Sequence, residues 1–324
     1  MEPFPHLLTY GKLVEPATNK SNITKCGEQI LSKMGRRTAS PPPPTGTWPW
    51  GNDAGFPFAL HTDPIISQWA FGLLALHVVL QLALVYVPPF QKKAGVAAHQ
   101  IVVAIPFAYA AWFGGQLWIT DDGIAAAHGG DYTSRLYGAN EPAWALCRFM
   151  IGFQLYDLLA TGLVAELRKA EHLAHHTASI FTALAGAAAG GPFFLYYVPF
   201  FFGFTEISSV PLAAVDLFRE FPSLTKGRIG AGVNEAVRSL FGVSFLLIRC
   251  VLFPWVMLSK FWPDLAAAFG ADDVRGASRA PFYWMIFSST FLTLLQFFWG
   301  GKIVRVLLKG NLSGRDQGKA AKET

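Results

Sequence analysis

Seven stretches of about twenty residues, each almost free of charge, recur along the chain with short polar segments between them. They run from Ile65 to Pro88, Val96 to Ile119, Ala143 to Ala165, His172 to Gly190, Phe193 to Val215, Ser239 to Leu258 and Phe282 to Val304. A helix of that length spans the hydrocarbon of a bilayer and satisfies every backbone polar group within itself. The pattern therefore predicts an all-α, polytopic membrane protein: a helical bundle of about seven transmembrane helices around a central cavity. The fourth stretch is short and rich in alanine and glycine, which suits close helix packing better than lipid contact. Residues 1–64 read as a polar tail stiffened by the Pro41 to Pro44 run, 65–90 as the first transmembrane helix, and 311–324 as a basic tail.

Composition supports the membrane reading and removes others. Of 324 residues 52% are apolar and only 15% charged, with a mean hydropathy of +0.34. A soluble domain carries roughly 25% charged residues, so a soluble enzyme, a disordered tail and a nucleic-acid-binding basic domain are all excluded. Cys26, Cys147 and Cys250 are too far apart to suggest a disulfide framework or a metal cluster. The first 48 residues hold no secretory signal, so the first span is expected to act as its own anchor.

The net charge of +5 is distributed as membrane topology requires. One set of loops collects Lys92, Lys93, Arg168, Lys169, Arg219, Lys226, Arg228 and the basic C-terminal tail, while the opposite loops carry Asp121, Asp122, Asp131, Asp272 and Asp273. By the positive-inside rule the N-terminus is lumenal and the C-terminus cytosolic. Asn19 and Asn22 lie in glycosylation sequons on the lumenal tail, and a third sequon at Asn311 falls on the cytosolic side.

An ionisable group inside a membrane helix costs on the order of 3 kcal/mol and is a functional candidate by default. With the topology fixed, Asp157, His175, His176, Glu206, Gln296 and His99 fall at similar depth in five different spans, toward the cytosolic side. A shared polar cavity explains that coincidence. His172, His175 and His176 share one helix face. Metal binding would need further histidine boxes, and the chain has one. Base or nucleophilic chemistry needs an imidazole oriented by a carboxylate, which Asp157 could supply. A structural cluster that staples helices together is the third reading. Arg148 competes as a partner for Asp157. Glu206 and Arg249 are either a structural pair or substrate contacts, Arg249 suiting an anionic headgroup or phosphate. His77, mid-span, is structural or lipid-facing, and the aromatic run from Phe193 to Phe204 is a wall for acyl chains or a lipid contact.

At these residues the chain resembles a known family. Lys92-Lys93 through His99, Ser134 to Gly138, Gly152 to Leu159, His175 to Ala178, Glu206 to Pro211, Arg249 and Gln296 to Trp299 stand in the order and spacing of a TLC domain, over about residues 91–310. The resemblance implies a membrane helix bundle around a cavity, located in the endoplasmic reticulum membrane. For the ceramide synthases of that family it implies acyl transfer from acyl-CoA to the amine of a sphingoid base. His175 and His176 would then be catalytic with Asp157 orienting them, and Glu206, Arg249, Gln296, His99 and His172 would contact substrate. No bound cofactor or metal is implied; acyl-CoA would be a co-substrate, and membrane lipids, sphingoid bases or phospholipids the partners, with a homo-oligomer left open. The synthases carry a further His-Asp motif followed by another Asp, whereas the matching stretch here, Phe204 to Pro211, has neither. That stretch is similar to the non-synthase TLC proteins linked to lipid composition, trafficking or sensing. The single His-x-x-His-His box also resembles that of fatty-acid elongases. An acyl-CoA-dependent enzyme and a non-catalytic lipid-binding protein therefore both remain open.

Overall fold

The computed structural model describes residues 63–188, 193–273 and 279–320, and among these every regular element is helical. Helix α1 is Pro64–Leu84, α2 Ala94–Thr120, and two short helices follow, α3 Asp122–His128 and α4 Tyr132–Tyr137. Then come α5 Glu141–Leu163, α6 Ala170–Ala188, α7 Val198–Glu220, α8 Arg228–Gly270 and α9 Ala280–Ala320. Residues 1–62, with the sequons at Asn19 and Asn22, and residues 321–324 lie outside the described residues, as does the side chain of Asn311.

Local chemistry fixes several helix starts. Asp63 accepts hydrogen bonds from the Ile65 and Ile66 amides at 2.9 and 3.1 Å, with Pro64 in the first turn. Asp121, Asp131 and Asn140 cap α3, α4 and α5 in the same way, at 2.8–3.0 Å.

All seven expected stretches fall on helices. Five of these (α1, α2 with its preceding turn, α7, α8 and the first part of α9) are long and apolar enough to cross a membrane by length and composition. With 23 and 19 residues, α5 and α6 are long enough, but Glu141, Arg148 and Asp157 on one and Glu171 with three histidines on the other make them too polar to qualify that way. Their polarity has an answer in the packing: α5 lies among α1, α2 and α6, and most of its side chains are buried. The lipid-ready surface sits on the outer helices, where Phe71, Leu82, Trp112, Ile119, Trp255, Leu258, Phe287 and Leu294 are all exposed. This is a multi-pass membrane protein.

Two expected spans change their bounds most. The fifth span begins at Val198 instead of Phe193, because Phe193–Tyr197 forms a turn in which Phe194 takes a φ of 52° and its amide bonds Leu136 O at 2.6 Å. Phe193, Phe194, Tyr196, Tyr197, Phe200 and Phe202 are all buried, so the aromatic run is interior packing and not a lipid contact. The sixth span is part of a helix of 43 residues, about 65 Å long at 1.5 Å per residue and roughly twice the hydrocarbon thickness. Its first leg is amphipathic and packs on α7. Two π-helical stretches, Leu246–Leu252 and Met257–Phe261, widen it, each shortly before a proline (Pro254, Pro263) whose missing N–H interrupts the α-helical ladder.

Two glycine contacts set the helix spacing around the cavity. A Cβ on Gly114 of α2 would lie 2.3 Å from the Cα of Gly203, just before the 3₁₀ segment Phe204–Ser208 of α7. A Cβ on Gly152 of α5 would lie 2.6 Å from Ile66 O of α1. At the end of the bundle away from Lys93 and Lys169, Arg135 of α4 donates from Nε and Nη2 to both carboxylate oxygens of Asp264 on α8, each at 2.6 Å. The Tyr197 hydroxyl donates to the same carboxylate, which closes that end.

Candidate functional site

At the end of the bundle that carries Lys169, Arg219 and Lys302, the helices leave a cavity of about 350 Å³. His99 enters it from α2, Gln154 and Asp157 from α5, His172, His175 and His176 from α6, Glu206, Ser208 and Ser209 from α7, Arg249 from α8, and Trp299 from α9. Sequence spacing explains the alignment on each helix: Gln154 and Asp157 are three residues apart, and His172 stands three and four before the other two histidines.

Asp157 is the centre of the hydrogen bonding. It is 2% exposed, and its Oδ1 meets His99 Nε2 at 2.6 Å while its Oδ2 lies 3.3 Å from His176 Nε2. The other nitrogen of His176, Nδ1, meets Gln154 Oε1 at 2.8 Å. His176 is thus held at both ends of its ring. His175 differs. Its Nδ1 is buried without a hydrogen-bond partner, and its ring packs edge-on against Trp299 at 5.4 Å and against His176 at 5.4 Å. His172 also packs edge-on against Trp299, with ring centroids 6.3 Å apart.

A second group of polar residues stands across the cavity. Arg249 donates from Nε to Ser208 Oγ at 2.8 Å, and from Nη2 to Ser209 Oγ at 2.8 Å and Glu206 Oε1 at 3.0 Å. Glu206 and Arg249 therefore do pair, and both still face the cavity.

Beside this group lies a smaller chamber of about 50 Å³, walled by three methionines, Leu292 and five phenylalanines, with Ser179, Thr182, Thr205, Ser289 and Gln296 among the apolar side chains. Gln154, His175, Glu206 and Arg249 line both spaces, so these four side chains are the partition between a polar vestibule and an apolar inner chamber.

Most of the sequence candidates meet in the vestibule, with one displacement. Gln296 lines the inner chamber instead, buried, its Oε1 without a hydrogen-bond partner. Arg148 does not reach Asp157; it pairs with Asp63 at 3.4 Å and stacks on Trp144 at 3.7 Å. His77 is not lipid-facing but buried, with Nδ1 at 2.9 Å from the Tyr156 hydroxyl. Sequence reasoning gave no role to Gln154, Ser208, Ser209 or Trp299. Gln154 was legible as the residue one turn before Asp157 on the same face. Small hydroxyls in an apolar helix carry no such signal, since they also bond their own backbone.

Helices packed around a two-chambered hollow, with ionisable groups buried where the chambers meet, define a polytopic membrane protein with a polar site inside its helix bundle. The family model described as the TLC domain matches residues 92–305, and the chain belongs to that family. No curated protein and no solved structure matches the chain.

Proposed function

We propose that this TLC-domain protein handles acyl lipids at the partition between the two chambers, and that it transfers an acyl group from acyl-CoA to a lipid acceptor there. The observation that carries the proposal is that Gln154, His175, Glu206 and Arg249 line both a polar cavity of about 350 Å³ and an apolar one of about 50 Å³. An acyl lipid has the same division between headgroup and chain. The inner walls hold three methionines, whose unbranched side chains can rearrange around a hydrocarbon.

In this reading His175 is the reacting group. The residue lines both chambers, where a thioester carbonyl would lie between headgroup and chain, and the attack needs a small turn of the ring to bring a nitrogen out of its buried position. The ring nitrogen attacks the carbonyl carbon, the C–S bond breaks, and coenzyme A leaves as a thiolate that takes up a proton. An acceptor amine or hydroxyl then attacks the acyl-imidazole, loses its proton and restores the imidazole. His176, fixed by Asp157 and Gln154, acts as positioning residue, and His99 completes the carboxylate's hydrogen bonding. His172 and Gln296 line the headgroup and chain sides respectively. Lys169, Arg219 and Lys302 at the mouth suit the phosphates of coenzyme A. The reaction needs no bound cofactor. We assign the catalytic unit to residues 91–310, and the protein to the endoplasmic reticulum membrane with the basic mouth in the cytosol and the N-terminal tail in the lumen.

A second reading is favoured by one observation: both ring nitrogens of His176 are already engaged, as a purely structural histidine's would be. In that reading the same hollow stores or senses a lipid without turnover. Incubating the purified protein with labelled acyl-CoA and a panel of lipid acceptors separates the two. A covalent adduct or an N- or O-acyl product that disappears in His175→Ala supports transfer. Co-purifying lipid with neither adduct nor product overturns it in favour of binding.

A further inference from the structure

The partition contains an ion pair whose two halves are held unequally. Arg249 is tied to α7 by three hydrogen bonds, two of them to the hydroxyls of Ser208 and Ser209. Glu206 contributes only the third, through Oε1 to Nη2, and among the described residues its Oε2 has no hydrogen-bond partner. Arg249 Nη1 likewise has none. The guanidinium would stay in place if Glu206 swung away, because the two serines hold it independently. Both partners sit where helical geometry is irregular, Glu206 on the 3₁₀ segment Phe204–Ser208 and Arg249 on the π stretch Leu246–Leu252, a kind of segment that recurs at functional sites.

From this we infer that Glu206 is a displaceable stand-in for the oxyanion of the lipid that occupies the inner chamber. The ligand is an amphiphile with a carboxylate or phosphate that replaces Glu206 on Arg249, while the carbons next to that headgroup enter between the phenylalanine and methionine walls, which part to admit the rest of the chain because the chamber holds only about 50 Å³. The inference rests on the acyl-lipid reading above and concerns the acceptor lipid, since the thioester itself carries no charge beside its chain.

The charge follows from the exchange. Arg249 is 7% exposed at membrane depth, and removing its carboxylate partner without replacement would strand a buried cation, which is strongly unfavourable. A neutral alcohol or ester cannot make that replacement; an oxyanion can, and it meets the guanidinium in the two-pronged geometry that Glu206 does not use. Glu206, once released, faces the polar vestibule, where its charge is tolerated.

The test is direct binding to the purified full chain in an uncharged detergent. The probes are radiolabelled oleate, oleyl phosphate, oleyl alcohol and methyl oleate, with inorganic phosphate as competitor. Oleate and oleyl phosphate are expected to bind at least about tenfold more tightly than the alcohol and the ester. Glu206→Gln, which removes the internal competitor, should tighten the two anions further and leave the neutral probes unchanged. The double variant Glu206→Gln with Arg249→Gln should bind all four lipids alike. Equal affinity of the wild-type protein for oleate and oleyl alcohol would overturn the inference without any variant having to fold, and so would weaker oleate binding in Glu206→Gln. Inorganic phosphate that binds as tightly as oleyl phosphate would replace the lipid with a free anion. Acyl transfer without headgroup preference would sink this inference and spare the proposed reaction; headgroup preference without any acylated product would do the reverse.

Discussion

His99 and His176, which come from different helices 77 positions apart in the chain, grip the two oxygens of one buried carboxylate, at 2.6 and 3.3 Å. Asp157 is therefore the joint between α2, α5 and α6 and the centre of the hydrogen bonding at one wall of the cavity. An acidic side chain at this depth is tolerated because both of its oxygens find partners.

Asp157→Ala would strand two imidazoles, and the expected loss is about 2–4 kcal/mol of stability, read as an earlier thermal transition in detergent. His99→Gln, which keeps one hydrogen bond to the carboxylate, is expected to cost about half as much. A wild-type transition for Asp157→Ala would show that the carboxylate is not the joint described.

The two adjacent histidines should separate in kinetics. His175→Ala is expected to abolish both the covalent adduct and the product. His176→Ala should retain product formation slowed by about a hundredfold, the usual scale for losing a positioned acid–base group. Single-turnover assays with labelled acyl-CoA check this, and the reverse order of effects would exchange the roles assigned to the two rings.

At the far end of the bundle, Arg135→Met removes the two-pronged partner of Asp264 and leaves the carboxylate with the Tyr197 hydroxyl alone. The expected cost is about 3–5 kcal/mol, the range for breaking a buried pair by deleting one member. Adding Asp264→Asn should recover part of it. Thermal unfolding of the single and double variants measures both, and additivity of the two losses would show that the pair is not coupled.

Neighbouring glycines on α2 provide an internal control. Gly114→Ala puts a methyl 2.3 Å from the Gly203 backbone, whereas Gly115→Ala meets nothing within 4 Å. The first is expected to destabilise by about 1–3 kcal/mol and to lower lipid binding, since it pushes on the segment that carries Glu206. The second should be neutral or slightly stabilising, because alanine outranks glycine in a helix. Paired melting curves decide it.

Much of this architecture was legible in the order of residues. Long apolar stretches located the helices, and ionisable groups at matching depth announced a common hollow. Depth is a coordinate that sequence supplies once helices and topology are set, so His99, Asp157, His175 and Glu206 could be brought together on paper. Direction around a helix is harder to read when the helix is not regular. Gln296 shares the inner chamber with His175 but does not reach the vestibule with His99, His172 and His176, and the division into two chambers depends on which way each side chain turns. The turn at Phe193–Tyr197 escaped for a different reason: hydropathy sums over a window and scores buried aromatics and lipid-facing aromatics alike.

The widened stretch around Arg249 makes the guanidinium's aim a matter of counting. A π turn is an α-helix that has accepted one surplus residue. Deleting a single residue between Leu246 and Arg249 would let the ordinary winding close up, and each residue of an α-helix turns its side chain by about 100°. Such a protein would keep the same composition and hydropathy across this region while its one buried guanidinium there swung out of register with Ser208 and Ser209. Among natural relatives, then, a gap of one position in this segment would be more disruptive than several substitutions along it.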